Sequence, residues 1–512
     1  MAMKTFAAIE VGSNELELKV YEISKKIGIR QIDQVRYIIE LGSDAYSSGM
    51  ISYELVNELC SVLKKFKFKM DEYQVDNYVA YGGSALREAS NGNMIVDQIR
   101  IKTGLKVKLI SNAQQRFLVF KSIAFKMKNF ETLINEGALI IDIGSGSLQV
   151  SVFEDGVLQV SKNIRLGSLR IRELLSAMEG QTSDFVNVIR EFVDNGIYAH
   201  SLHQLKNMKL KHAVIVGEEF STIVKYSGIQ SEEGCMTIGQ FDKTYKQLIG
   251  KNPNQIQEEL DIPYEQASVM IPTAIVLKEI VRQTSVDTLW QAASDLCDGM
   301  ALDYSQKVER FLLAHDFTKD IIKSVRWIAK KYDSDEAHVR NVENHAKALF
   351  DATKKISGLN QRHRLLLQTA AILHDTGKFI NGSKSVYNSC HIIRETEIIG
   401  LSDAEREIVS CIVLYNSSAY VPKYEKMSHE IDRDSYMDLL KLSAIFGLAN
   451  AMDKSHRQKM DKIRVTIAEN EMKITADTIY DITLEQSMVE EKSGFFEEIF
   501  GIKPVLRQKR SI

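Results

Sequence analysis

Several residue types and patterns are scarce in this 512-residue chain, and each shortage removes a class of protein. The five cysteines (Cys60, Cys235, Cys297, Cys390 and Cys411) are scattered and form no Cys-x-x-Cys pair. Neither a disulfide framework nor a cysteine metal centre is legible, and a reducing, cytoplasmic setting is expected. Only five prolines occur, so no proline-rich linker marks a domain boundary. No window approaches the ~18 uninterrupted apolar residues of a membrane span. The opening MAMKTFAAIEVGSNE meets a carboxylate too early for a signal peptide. A formal charge of −3 gives no global nucleic-acid signature. The basic runs Lys64 to Lys69, Lys206 to Lys211 and Arg507 to Arg510 read as solvated faces. Hydrophobic residues at 44% and charged residues at 26% exclude disorder and a coiled coil, leaving an ordinary globular chain of about three domains.

What is present is a repeat. FAAIEVGSNELELKVYEI (Phe6 to Ile23) and ALIIDIGSGSLQVSVFED (Ala138 to Asp155) are versions of each other, with Glu10 and Asp142 132 positions apart. Each reads as an apolar strand ending in a carboxylate, then x-Gly-Ser, then an alternating strand. That is a hairpin whose turn exposes backbone N–H groups. Two such turns facing each other suit a polyphosphorylated ligand, with Asp142 available for a metal.

From Met1 to about Met127, strands alternate with helices: a helix near Ser52 to Phe66, the strand NYVAYGG, a helix from Ser84, the strand KVKLIS and a helix from Asn112. A comparable series opens at Ala138, with the strand His212 to Gly217 and a long helix around Gln266 to Thr284. Beyond about Lys307 helical periodicity dominates, with one late strand pair suggested over Asp461 to Asp477. The expected domains are 1–127, 128–305 and 306–512.

In their order, AAIEVGSN, YGGSALREASN (Tyr81 to Asn91), the LIS segment (Leu109 to Ser111), IDIGSGS (Ile141 to Ser147), IRLGSLRIRE (Ile164 to Glu173), DGM (Asp298 to Met300) and LHDTGK (Leu373 to Lys378) resemble the exopolyphosphatase and guanosine pentaphosphate phosphohydrolase (Ppx/GppA) family, within the actin-like ATPase superfamily. The resemblance implies an α/β fold of two actin-like (ribonuclease H-like) lobes followed by a mostly α-helical HD-like domain. It implies a cleft in which Gly12, Ser13 and Asn14 form one phosphate turn and Gly144, Ser145, Gly146 and Ser147 the other. Asp142, with Glu10 opposite, would hold Mg2+, and Arg87 would bring a guanidinium to the terminal phosphates. The implied substrates are inorganic polyphosphate or guanosine pentaphosphate, with no nucleic acid or membrane partner and a homodimer as the assembly.

The chain departs from that pattern at the chemistry. The family's general base is a glutamate in an acidic pair opening the helix after the LIS segment, and here the helix begins Asn112-Ala113-Gln114-Gln115. General-base catalysis contributes about 100- to 10,000-fold, so a slow enzyme is expected, with Gln114 or Gln115 orienting water. Glu10 replaces an aspartate, Glu15 a serine and Gln149 a glutamate, and Glu218-Glu219 interrupts a glycine-rich segment. Glu15, Glu218 or Glu219 could supply a relocated base.

In the last domain, His338, Val342, His345 and Leu349 share one helical stripe, and Leu367, Ala370, Ala371 and His374 another, with Gly377 expected to end the second helix. His374-Asp375 resembles the doublet of HD-type metal phosphohydrolases, and His338 their first histidine ligand. The later aspartate of that pattern falls at Asn450, with Asp453 three residues on, and Asn416 replaces a tyrosine-histidine position. The leading expectation is a magnesium-dependent phosphoanhydride hydrolase. The competing one is a non-catalytic protein that binds polyphosphate or an alarmone. A sugar-kinase-like reading lacks an adenosine-binding pattern.

Overall fold

The computed structural model describes residues 3–200, 202–229, 234–309, 311, 315–416, 421–427, 431–468 and 470–509, so Arg510 of the last basic run lies outside the described residues. Two compact units result, Met1–Asp316 and Phe317–Ile512.

In the first unit, β1 (Lys4–Val11), β2 (Glu15–Ser24), β3 (Gly28–Ile38), β4 (Asn77–Gly82) and β5 (Val107–Leu109) form a sheet in the order β3-β2-β1-β4-β5. β6 (Ala138–Ile143), β7 (Leu148–Glu154), β8 (Val157–Ile164), β9 (His212–Val216), β10 (Cys235–Thr237) and β11 (Thr288–Gln291) form a second, in the order β10-β11-β9-β6-β7-β8. Without β10 the topology is the same. In each sheet an antiparallel trio continues into two parallel strands. The central strands are continuous apolar runs because helices cover both faces; Phe6 to Ile9 and Ala138 to Ile141 are buried throughout. Each sheet has its own core, one gathering Ile9, Leu18 and Phe66, the other Ile141, Phe220 and Ile275.

The helices Asn112–Lys126 and Leu296–Glu309 cross at close range, because a Cβ on Gly299 would lie 2.4 Å from the Leu118 carbonyl oxygen. Only glycine permits that approach.

The second unit is mainly helical, including Phe317–Lys331, Glu336–Ser357, Gln361–Leu373, Ser385–Glu395, Asp403–Tyr415 and Arg433–Ala451. The late strand pair occurs as β12 (Ile463–Ala468) and β13 (Glu471–Asp477), joined by an unforeseen β14 (Lys503–Lys509) running parallel to β13. Gly377 does not end a helix. The helix stops at Leu373, and a Cβ on Gly377 would fall 2.0 Å from the Ser385 carbonyl oxygen, so this glycine admits a neighbouring backbone.

Candidate active site

Two tight turns closed by the same hydrogen bond face one cleft of about 430 Å³ in the first unit. In the first, the Gly12 N–H donates to the Glu15 carbonyl at 3.0 Å; in the second, the Gly144 N–H donates to the Ser147 carbonyl at 3.0 Å. The flanking registers match as well, Glu10 opposite Glu17 and Asp142 opposite Gln149.

The direction of the turn amides follows from which carbonyls are tied. Those of Ser13 and Asn14 accept from the N–H groups of Gly42 (2.7 Å) and Ile39 (3.0 Å). Those of Gly144 and Ser145 accept from Ser168 N–H (3.1 Å) and Arg170 N–H (3.0 Å), and the Gly146 carbonyl takes Arg170 Nε at 2.7 Å. In a trans peptide the N–H points opposite the carbonyl. The N–H groups of Asn14 and Glu15 in one turn, and of Ser145, Gly146 and Ser147 in the other, are therefore turned away from those anchors. All five residues line the cleft. Backbone N–H groups arranged this way make an anion-binding concavity.

Around the turns the cleft is acidic. Burial pushes the Glu10 carboxyl well above its ordinary value, and Glu17, Asp295, Glu15 and Asp142 push it further. Burial lifts Asp142 to about 6, opposed by Arg116. Burial also lifts Glu15 to about 7 despite Arg36, and Glu219 to about 7 beside Glu218 and Asp142. Gln149 is 4% exposed, and its Oε1 has no hydrogen-bond partner. Crowded carboxylates and an orphaned amide oxygen are a donor set that fits a hard cation. Among the described residues, the one set of three or more His, Cys, Asp or Glu side chains with ligand atoms all within 4.8 Å of one another is Glu10, Glu17 and Cys297.

This geometry agrees with what comparison finds. A family model described as the Ppx/GppA phosphatase family matches residues 20–307, and one for Ppx/GppA phosphatase domain III matches residues 322–493. The chain belongs to the Ppx/GppA phosphatase family. A guanosine-5'-triphosphate,3'-diphosphate pyrophosphatase from Photobacterium profundum is 19% identical over 491 residues, 95% of this chain and 94% of that protein. A bifunctional 3-dehydroquinate synthase/phosphatase from Fusobacterium nucleatum is 22% identical over 58% of this chain and 46% of its own length. The crystal structure of an exopolyphosphatase from Cytophaga hutchinsonii superposes with a TM-score of 0.53 at 16% identity, covering 61% of this chain and all of that one. An Aquifex aeolicus Ppx/GppA family member gives 0.50 at 19% identity with the same coverage. These structures share the fold of the 61% of this chain that they cover.

The candidate residues of this Ppx/GppA protein separate spatially. Gln114 closes the capping box of its helix: its Oε1 accepts from Ser111 N–H at 3.4 Å while its own N–H donates to Ser111 Oγ at 3.3 Å. Gln115, one residue on, lines the cleft. Arg87 bonds the Ile110 carbonyl and Asn112 Oδ1 and is not among the cleft-lining residues. The Ser13 hydroxyl is held by Tyr46 Oη (2.7 Å), Ser84 Oγ (3.0 Å) and Ala85 N–H (3.1 Å), so it is already engaged within the protein.

Sequence reasoning missed Glu17, Lys19 and Arg36, which also line the cleft. A signal existed. In ELELKV, Glu15, Glu17 and Lys19 fall at alternate positions, so the first half of β2 carries charge on one face while Leu16, Leu18 and Val20 face the core. Charge at every second position of a buried strand marks a functional wall.

In domain III, His338 and His374 are buried with their Nε2 atoms 3.1 Å apart. His338 Nδ1 pairs with Asp453 Oδ2 at 2.8 Å, and His374 Nδ1 with the Ala371 carbonyl at 2.8 Å. Asp375 takes Lys378 at 2.7 Å, and His345 bonds the Met460 carbonyl at 2.8 Å. Asp453, rather than position 450, thus supplies the carboxylate beside His338.

Proposed function

We propose that the cleft binds condensed phosphate and hydrolyses its terminal phosphoanhydride, slowly. The paired turns carry this reading: five backbone N–H groups on two hairpins are directed away from their tied carbonyls at one cavity. The N–H groups of Asn14 and Glu15 in the turn opened by Gly12 and Ser13, and of Ser145, Gly146 and Ser147 in the turn opened by Gly144, cradle successive phosphates, with the Ser145 and Ser147 hydroxyls at hand. Asp142 and Glu10 would hold Mg2+, which when bound neutralises charge on the phosphoryl oxygens. Gln115 orients the attacking water, and Gln114 serves its helix. Amide positioning is sufficient for slow turnover because phosphoryl transfer depends mainly on positioning and charge neutralisation. Segments 1–127 and 128–305 act as the two walls of the cleft. The substrate is inorganic polyphosphate or guanosine pentaphosphate, the latter in keeping with the name of the Photobacterium relative.

The test is orthophosphate release from long-chain polyphosphate and from guanosine pentaphosphate, with and without Mg2+. Metal-dependent release abolished in Asp142→Ala is expected. The absence of a carboxylate at the start of the helix favours a second reading, a binding protein without turnover. Thermal stabilisation by either compound with no phosphate released would select it.

A further inference from the structure

Lys19, Arg36 and Lys126 are the lysines and arginines lining the cleft among the described residues. Two of them are committed to acids of the protein. Lys19 is bonded to Asp295 and lies 3.5 Å from Asp298, and Lys126 lies 2.5 Å from Asp298.

Arg36 is held differently on its two sides. It sits directly across from Glu17 in the β2–β3 register, and its Nε donates to Glu17 Oε1 at 2.7 Å. Its Nη1 reaches Glu218, the first residue of the helix Glu218–Tyr226, which follows β9 in the other sheet's half of the unit. Arg36 therefore links the two walls of the cleft. The Glu17 side chain is 4% exposed, so that anchor is buried, whereas Glu218 is 44% exposed. An ion pair open to water holds weakly. A phosphate group carries more charge than one carboxylate and matches the guanidinium fork bidentately, so it displaces such a partner.

We propose that Arg36 is the guanidinium that grips the condensed-phosphate ligand, and that Glu218 is the carboxylate it leaves when the ligand enters. The proposal rests on the phosphate-cleft reading above and adds to it a gripping residue and its resting partner. Glu17 then positions Arg36 in both states.

The test is calorimetric titration of the full-length protein with inorganic tripolyphosphate and, separately, guanosine 5'-triphosphate, at two salt concentrations. Arg36→Gln is expected to weaken binding at least tenfold and to flatten its salt dependence, with Arg36→Lys intermediate. Glu218→Gln should tighten binding about threefold or more in the wild-type background and not at all beside Arg36→Gln. Thermal denaturation of each variant establishes that it is folded. Wild-type affinity in Arg36→Gln overturns the proposal. So does an equal gain from Glu218→Gln with and without Arg36, which would mean plain charge repulsion. If the wild type binds neither probe, the phosphate-cleft reading fails too; if it binds and the variants do not differ from it, only the role of Arg36 fails.

Discussion

Replacing Glu219 with glutamine should stabilise the ligand-free first unit at alkaline pH and leave it nearly unchanged in acid. Burial displaces the Glu219 carboxyl from 4.5 to about 7, with the Glu218 and Asp142 charges adding to the effect. A carboxyl that titrates higher in the folded than in the unfolded chain holds its proton more tightly when folded. Its contribution to stability is whole below about pH 4.5, declines from there to pH 7, and is lost above. A displacement of this size corresponds to a ceiling of about 3 kcal/mol. Water in the cleft screens the ionised group, so about 1 to 2 kcal/mol is the working figure. That corresponds to a shift of about 2 to 5 °C in Tm. The two tryptophans allow a clean assay, since Trp290 lies in β11 of the first unit and Trp327 in the helix Phe317–Lys331 of the second. In a Trp327→Phe background with chelator present, Trp290 fluorescence should report a falling Tm from pH 5 to 8.5, and Glu219→Gln should flatten that fall. A variant less stable than its parent at pH 8.5, or one with an unchanged pH slope, would show that Glu219 is not strained by its charge.

The remaining expectations concern catalysis, the second unit and the turn. Gln115→Glu should raise phosphate release by at least tenfold toward the general-base range, whereas Gln114→Glu, which preserves the capping box, should leave it unchanged; a gain in the second variant alone would reverse the assignment. His374 is held down to about 4, chiefly by burial and by the His338 charge, so the second unit should lose stability as pH falls from 6.5 toward 4. Trp327 fluorescence in Trp290→Phe would read that loss, opposite in sign to the first unit's behaviour. Gly167→Ala should cost about 1 to 3 kcal/mol and weaken tripolyphosphate binding, measured by denaturation and calorimetry, because its Cβ would fall 2.3 Å from the Gly146 carbonyl carbon and 2.4 Å from Ser147 N.

Local pattern carried much of this protein. The repeat around Glu10 and Asp142 was enough to place both hairpins, since an apolar run, a carboxylate and Gly-Ser specify a strand and a turn without distant partners. The amides at the start of the helix Asn112–Lys126 were equally plain, as were the strands β4, β9, β12 and β13. β14 was not, because Lys503, Arg507 and Lys509 alternate with few apolar residues and its pairing partner β13 lies across a whole helix in sequence. Tertiary structure decided the rest of the site. Successive helical residues project about 100° apart, which sends Gln114 to the cap and Gln115 to the cleft although their sequence positions are interchangeable. Arg87 and Arg36 are likewise indistinguishable by type. Only the folded sheets show that the first lies against Ile110 and Asn112 while the second faces Glu218, 182 positions away, because charge proximity across a cleft has no local signature in the chain.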